Sequence, residues 1–386
     1  MESTRHVPAR RLAWLRGELT RWQAEGLIDE GAARRIEAGY VPGRRLSLER
    51  LALLLGGGFL GVGLIWLVAA NLDQLSPLLR LAGITVIWIA AAVVGETVSS
   101  RGGRQAARLV SVFAAGGVIF QAAQSLQVPA YSSSLLGVWA GGALAYAYAT
   151  AATGPLVMAL AIASAWYGWL IGEQNGGAAA IAVGMLAAGG VSSAIANLHD
   201  SGRLARFAGP WRLAGVVLAL SGLFVAAFPG VSAGPAFWSP ALGAGLAAAG
   251  IAIGAVVFLT GRDGRQEVLA VTSMIVVALL LVAWTPLGTP WYTGEFSAEQ
   301  TARAVVGTLA YVLAAAWFAV VAARRDLSHL VYLVTAALVL FVIIQSFAVF
   351  QPLLTGAALF LALGVVFIGS GFLVNYGRRR LMEAMR

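Results

Sequence analysis

Three glutamines at intervals of three, Gln121, Gln124 and Gln127, with Ser125 among them, form the most informative polar cluster inside the apolar segments of this chain. Steps of three place the amides along one slowly rotating face of a helix, and in a bilayer such a face avoids lipid and turns to another helix or a watery cavity. The chemistry open to it is hydrogen bonding, either bridging two helices or lining a path for a polar solute. Glu96 is the only acid that this reading places within an apolar run. Its ordinary role is an interfacial ion pair with Arg101 or Arg104, and its sharper role is proton coupling.

Other patterns lose their chemistry in context. Gly56-Gly57-Gly58-Phe59-Leu60-Gly61 spells GxGxxG, but the dinucleotide turn needs a strand before it in an aqueous fold, and this run lies in a membrane helix. His6, His199 and His329 are far apart and there is no Cys, so the sequence offers no metal site and no disulfide. No nucleophile–base pair, HExxH or phosphate loop is present, and no cofactor and no enzymatic activity are expected.

The element that positions all of this is Leu51 to Asp73, the first apolar run long enough to cross a hydrocarbon core of roughly 30 Å. The chain is 59% hydrophobic and 11% charged, with mean hydropathy +0.82, so it is a multi-pass membrane protein. Its net charge of +9 does not mark a nucleic-acid binder. The arginines fall in short segments between apolar runs, where they set topology and meet anionic headgroups.

Proline and serine punctuation predicts an all-α bundle of about twelve spans, near 51–71, 78–98, 106–127, 134–152, 154–172, 177–197, 210–228, 238–260, 266–286, 301–323, 328–347 and 352–375. Gly57 and Gly61, and again Gly250 and Gly254, have the small-xxx-small spacing of close helix packing. Arginine groups after the second, sixth, eighth, tenth and twelfth spans all fall on the side of the N-terminus, which predicts both termini in the cytoplasm of a bacterium and the bundle in its inner membrane. Residues 1–50 read as a cytoplasmic amphipathic helical hairpin with a basic linker, 51–376 as the bundle, and 377–386 as a basic cytoplasmic tail. In the hairpin, Gly26 ends one helix and Asp29 caps the next.

Leu19 to Ile36, with Trp22 and Gly26-Leu27-Ile28-Asp29-Glu30, followed by Gly56, Gly61, Gly63 and the exit Ala69-Ala70-Asn71-Leu72-Asp73, resembles the domain-of-unknown-function family twenty-one fifty-seven. The likeness extends through Gly116 to Tyr148 and to Gly377-Arg378-Arg379-Arg380-Leu381; where such proteins carry a Gly-Gln-Ile-Tyr-like segment, only Gln124 matches. The resemblance implies a multi-pass bacterial membrane protein, an association with small membrane or periplasmic proteins, and no catalytic residue.

Two functional readings follow. In the first, the chain is a transporter-like or lipid- and solute-handling bundle, with membrane lipids as its partners and Gln121, Gln124, Gln127 and Glu96 along a polar path. In the second, it is a scaffold or assembly factor that docks partner membrane proteins, or a second copy of itself, through the N-terminal hairpin and its glycine faces. A major-facilitator relationship is disfavoured, because Ser99 and Ser100 stand where that superfamily has an acid and a base.

Overall fold

The computed structural model describes residues 5–7, 9–42, 52, 55–60, 63, 76–127, 129, 132–200, 202–285, 297–325 and 327–345. Most of the expected first span, the whole of the expected last span and the basic tail lie outside these residues. Two short strands and two helices come first: β1 (Arg5–Val7), α1 (Ala9–Ala24), α2 (Glu30–Ala38) and β2 (Tyr40–Pro42). The long helices of the bundle are α3 (Pro77–Thr97), α4 (Arg101–Ser125), α5 (Ser133–Ala149), α6 (Thr153–Glu173), α7 (Ala178–Leu198), α8 (Ala205–Ala226), α9 (Pro240–Leu259), α10 (Arg262–Ala283), α11 (Ala298–Arg324) and α12 (Ser328–Gln345). Among the described residues, eight helices are long and apolar enough to cross a membrane: α3, α4 and α6 to α11. The chain is therefore a helical, multi-span membrane protein.

Local chemistry sets the helix ends. Ser76 and Ser239 accept from the amides of Leu79 and Leu242 at 3.3 and 3.2 Å, with Pro77 and Pro240 just inside, where a missing N–H costs little. Ser297 and Gln300 form a reciprocal capping box at the start of α11. The hairpin forms as expected, with Gly26 in the left-handed region (φ 69°), Asp29 accepting from Ala32 N, and Leu19 and Ala33 buried. Parallel pairing of β1 with β2 closes it, a contact that the sequence reading did not anticipate.

Some boundaries move. Pro210 lies inside α8, which begins at Ala205, because the missing N–H removes one bond near a helix start, where little ladder has formed. α4 begins at Arg101, so Arg104 and Arg108 belong to its first turns and not to a loop. The chain does break between the expected spans 134–152 and 154–172: α5 ends at Ala149, Ala151 has φ 50°, and α6 starts at Thr153.

α7 is the hub of the bundle. It packs against α6, α8, α9 and α10, and two-thirds of its most apolar stretch is buried. Its neighbours approach closely because glycine faces glycine: a β-carbon on Gly215 would lie 3.0 Å from Ser193 N, and one on Gly222 would lie 2.5 Å from Ala182 O. The apolar core continues through Leu186, Leu223, Val271, Phe318 and Phe341 into α10, α11 and α12.

Contacts between turns assign them to common ends. Arg108 donates to Thr150 O, Arg206 to Ala151 O, and Arg325 to Asp200 and Asn197, which gathers the turns α3–α4, α5–α6, α7–α8 and α11–α12. Three of these turns, α3–α4, α7–α8 and α11–α12, are those that follow the second, sixth and tenth expected spans. At the opposite end Glu173 accepts from Ser133 N at 2.7 Å, and Gln174 accepts from Ala241 N at 2.9 Å. Two consecutive residues at the end of α6 thus satisfy the free amides of α5 and α9.

Candidate functional site

At the arginine-rich end, four charged side chains from four elements meet. Arg212 of α8 donates to Glu267 of α10 at 3.1 Å and to Asp200 of the α7–α8 turn at 2.8 Å. Arg325, just after α11, reaches the same Asp200 at 2.5 Å and lies 3.1 Å from Glu267. Its other bond goes to Asn197 Oδ1 at 2.9 Å, and Asn197 donates in turn to Ser193 O. Glu267 is 1% exposed and the Arg212 side chain 5%, whereas Arg325 is 19% and Asp200 37% exposed, so a buried Arg212–Glu267 pair opens outward into a charge-balanced quartet. In a low-dielectric setting, two carboxylates shared by two guanidiniums satisfy each other's charge where water cannot.

Beside it runs a hydrogen-bonded chain that anchors the same turn. Trp211 Nε1 donates to Tyr148 Oη at 2.9 Å, and Tyr148 Oη lies 3.0 Å from His199 Nε2. His199 Nδ1 is 2.7 Å from Ile195 O. A carbonyl only accepts and an indole only donates, so Nδ1 of His199 carries the proton shared with Ile195 O, and Tyr148 Oη accepts from Trp211. His199 and Asp200 are thus tied to Tyr148 and to Trp211 and Arg212, and the α7–α8 turn is held on both flanks.

The walls joined by the quartet enclose a side groove of about 450 Å³. α10 contributes Gln266, Leu269, Ala270, Ser273, Met274 and Val277, a stripe in alternating steps of three and one along a single helix face. α11 faces it with Ala310, Leu313, Ala314 and Trp317, and α8 closes the back with Leu223. Ser273 Oγ is occupied by Ala270 O at 2.7 Å, so the lining is almost wholly apolar. Gln266 to Val277 is eleven residues, about 16 Å at helical rise, or half of a hydrocarbon core of roughly 30 Å. The groove therefore has the depth of one leaflet, starting from the arginine-rich end.

A second charge concentration lies at the opposite end. Arg303 of α11 is fully buried and donates to five carbonyls: Leu281 at 3.1 Å, Phe228 at 2.8 Å, Pro229 at 2.7 Å, Ala226 at 3.4 Å, and Val231. Leu281 and Ala226 belong to the last turns of α10 and α8, and Phe228, Pro229 and Val231 to the connection that follows α8, so the cation sits at the C-terminal end of two helices, where it is favoured. Gln345 adds a bond to Ala227 O at 3.3 Å.

The residues singled out from the sequence are placed as follows. Gln121 is buried in α4, Gln124 is exposed, and Gln127 lies beyond the helix in a left-handed turn (φ 58°) and is exposed, so the three do not share one enclosed face. Past Ser125 the helix has ended and its periodicity no longer applies. Glu96 does form an interfacial pair, but with Arg108, at 2.7 and 3.0 Å, and not with Arg101 or Arg104; Arg108 stands one helical turn beyond Arg104 because α4 starts early. Gly57 faces α4, where a β-carbon would lie 3.1 Å from Ala106 Cα, whereas Gly61 lies outside the described residues. No described residue lies within 4 Å of the β-carbon positions of Gly250 and Gly254.

Glu267 and Asp200 were not picked out from the sequence, and Arg212 and Arg303 were read only as topology markers. Glu96 is thus not the only acid within a span. The available signal was the run Arg262-Asp263-Gly264-Arg265-Gln266-Glu267, which stands at the polar edge of the expected span 266–286 and forms the first turns of α10.

No curated protein and no solved structure matches the chain. Residues 20–156 match the family described as Predicted membrane protein (DUF2157). That segment runs from α1 to the start of α6 and includes the hairpin and first-span residues that carried the resemblance, while the groove and the quartet lie beyond it. Over residues 20–156, about a third of its length, this multi-span helical protein is similar to the family of predicted membrane proteins DUF2157.

Proposed function

We propose that the protein is a lipid-handling helix bundle of a bacterial inner membrane, with the arginine-rich end and both termini in the cytoplasm, and that the groove between α8, α10 and α11 takes in one acyl chain of a cytoplasmic-leaflet lipid. The observation that carries this is the groove itself: apolar, about 450 Å³, and one leaflet deep. Its shape and lining suit a hydrocarbon chain better than a polar solute. The scattered placement of Gln121, Gln124 and Gln127 gives a polar path no comparable support. Its role is then to hold or move lipid, with no bond made or broken. Twelve spans in all remain part of this proposal.

The test is native mass spectrometry of the full chain released from native-lipid discs, comparing wild type with Ala310→Trp and Ser273→Phe, both of which fill the groove. The expected result is a tightly retained lipid in wild type that either variant loses while eluting as folded protein. Undiminished retention in both folded variants would overturn the proposal. A stoichiometric polypeptide partner in place of the lipid would favour the scaffold role.

A further inference from the structure

We infer that the groove selects an anionic phospholipid, its headgroup phosphate being taken by Arg262 and Arg265 of α10. This deepens the acyl-chain reading above and rests on it. The geometry is a matter of helix register. The groove stripe begins at Gln266 and Leu269; one turn earlier on the same face, four residues back from each, stand Arg262 and Arg265. A chain lying along the stripe therefore brings its glycerol and phosphate to these two guanidiniums.

Both arginines are exposed, and among the described residues no carboxylate pairs with either. The acids of the quartet are already committed: buried Glu267 to Arg212 and Arg325, and exposed Asp200 to the same two. The quartet as a whole carries no net charge. Asp263 is the acid between the two arginines in sequence, which leaves the first turn of α10 with one net positive charge. Guanidinium forks match phosphate oxygens in geometry, and a positive site repels the ammonium of a zwitterionic headgroup while it attracts a net negative one. The groove fixes the depth of the chain, and the arginines fix the sign of the head.

The test reconstitutes the full chain in discs of equimolar phosphatidylglycerol and phosphatidylcholine and reads the ratio of the two lipids retained after release. Wild type is expected to retain phosphatidylglycerol over phosphatidylcholine by roughly 10- to 30-fold, on the order of what two basic side chains at a membrane surface supply. Arg262→Gln/Arg265→Gln is expected to retain as much lipid in total, at nearly the bulk ratio. Arg262→Lys/Arg265→Lys, which keeps the charge, is expected to retain most of the preference. A bulk ratio in wild type, or an unchanged preference in the glutamine variant, overturns the assignment of the arginines. Undiminished lipid retention in both folded groove variants, Ala310→Trp and Ser273→Phe, would instead sink the groove reading, so the two failures are distinct.

Discussion

Arg212 on α8 and Glu267 on α10 face each other at 3.1 Å, with 5% and 1% of their side chains exposed, and each has a second partner of opposite sign. Removing one of the two leaves the other's charge buried and out of balance. Glu267→Gln is therefore expected to destabilise the bundle by about 3 kcal/mol, within the range for breaking a buried pair. Arg212→Met/Glu267→Leu removes opposite charges together and is expected to recover most of that loss, because Arg325 and Asp200 still satisfy each other at 2.5 Å. Denaturant unfolding in detergent micelles of wild type, the glutamine variant and the double variant checks this. Equal losses in the two variants would mean that packing, and not charge balance, governs the site.

Arg303 poses the opposite case, a buried cation with no carboxylate among its described partners. Its five carbonyl bonds use the whole guanidinium fork, and all lie at or just past helix C-termini, where the dipole compensates the charge. Lysine keeps the charge but has three donors on one point and cannot span carbonyls from two helices. Arg303→Lys is expected to cost about 2 kcal/mol and Arg303→Met more, since the latter takes the side-chain donor from the carbonyls of Ala226, Pro229, Val231 and Leu281. Limited proteolysis of the α8–α9 connection checks the local effect, with cleavage between 227 and 239 expected to rise in both variants.

The arrangement was legible in the sequence where a single residue carries its own geometric reason. Ser76, Pro77, Ser239 and Pro240 cap helices wherever they stand, and Gly26 and Asp29 set a turn without help from the rest of the fold. The quartet was not legible for the converse reason. Glu267 stands at the polar edge of the expected span 266–286, and only the arrival of Arg212 and Arg325 from other helices makes it a buried partner. The glutamine triplet misled because periodicity was carried past the point where α4 ends.

The same limit applies to the glycines, and it supplies a sharp contrast. Small-xxx-small spacing marks Gly250 and Gly254 as readily as any pair in the chain, yet the space around both is open among the described residues. Gly215 and Gly222 on α8 are among the glycines under real constraint, and their absent β-carbons let α7 approach. Gly222→Ala places a methyl 2.5 Å from Ala182 O and 3.0 Å from Leu186 N, backbone atoms that cannot rotate away, so α7 and α8 must separate. Overpacking of this kind costs about 1–3 kcal/mol. Gly250→Ala and Gly254→Ala add a methyl to an open face and improve helix propensity, so their expected effect is neutral to slightly stabilising. Thermal unfolding of the three single variants separates the cases. If Gly250→Ala or Gly254→Ala destabilised the protein as strongly as Gly222→Ala, another helix would pack on that face of α9, and a cysteine at position 250 or 254 would be the place to cross-link it.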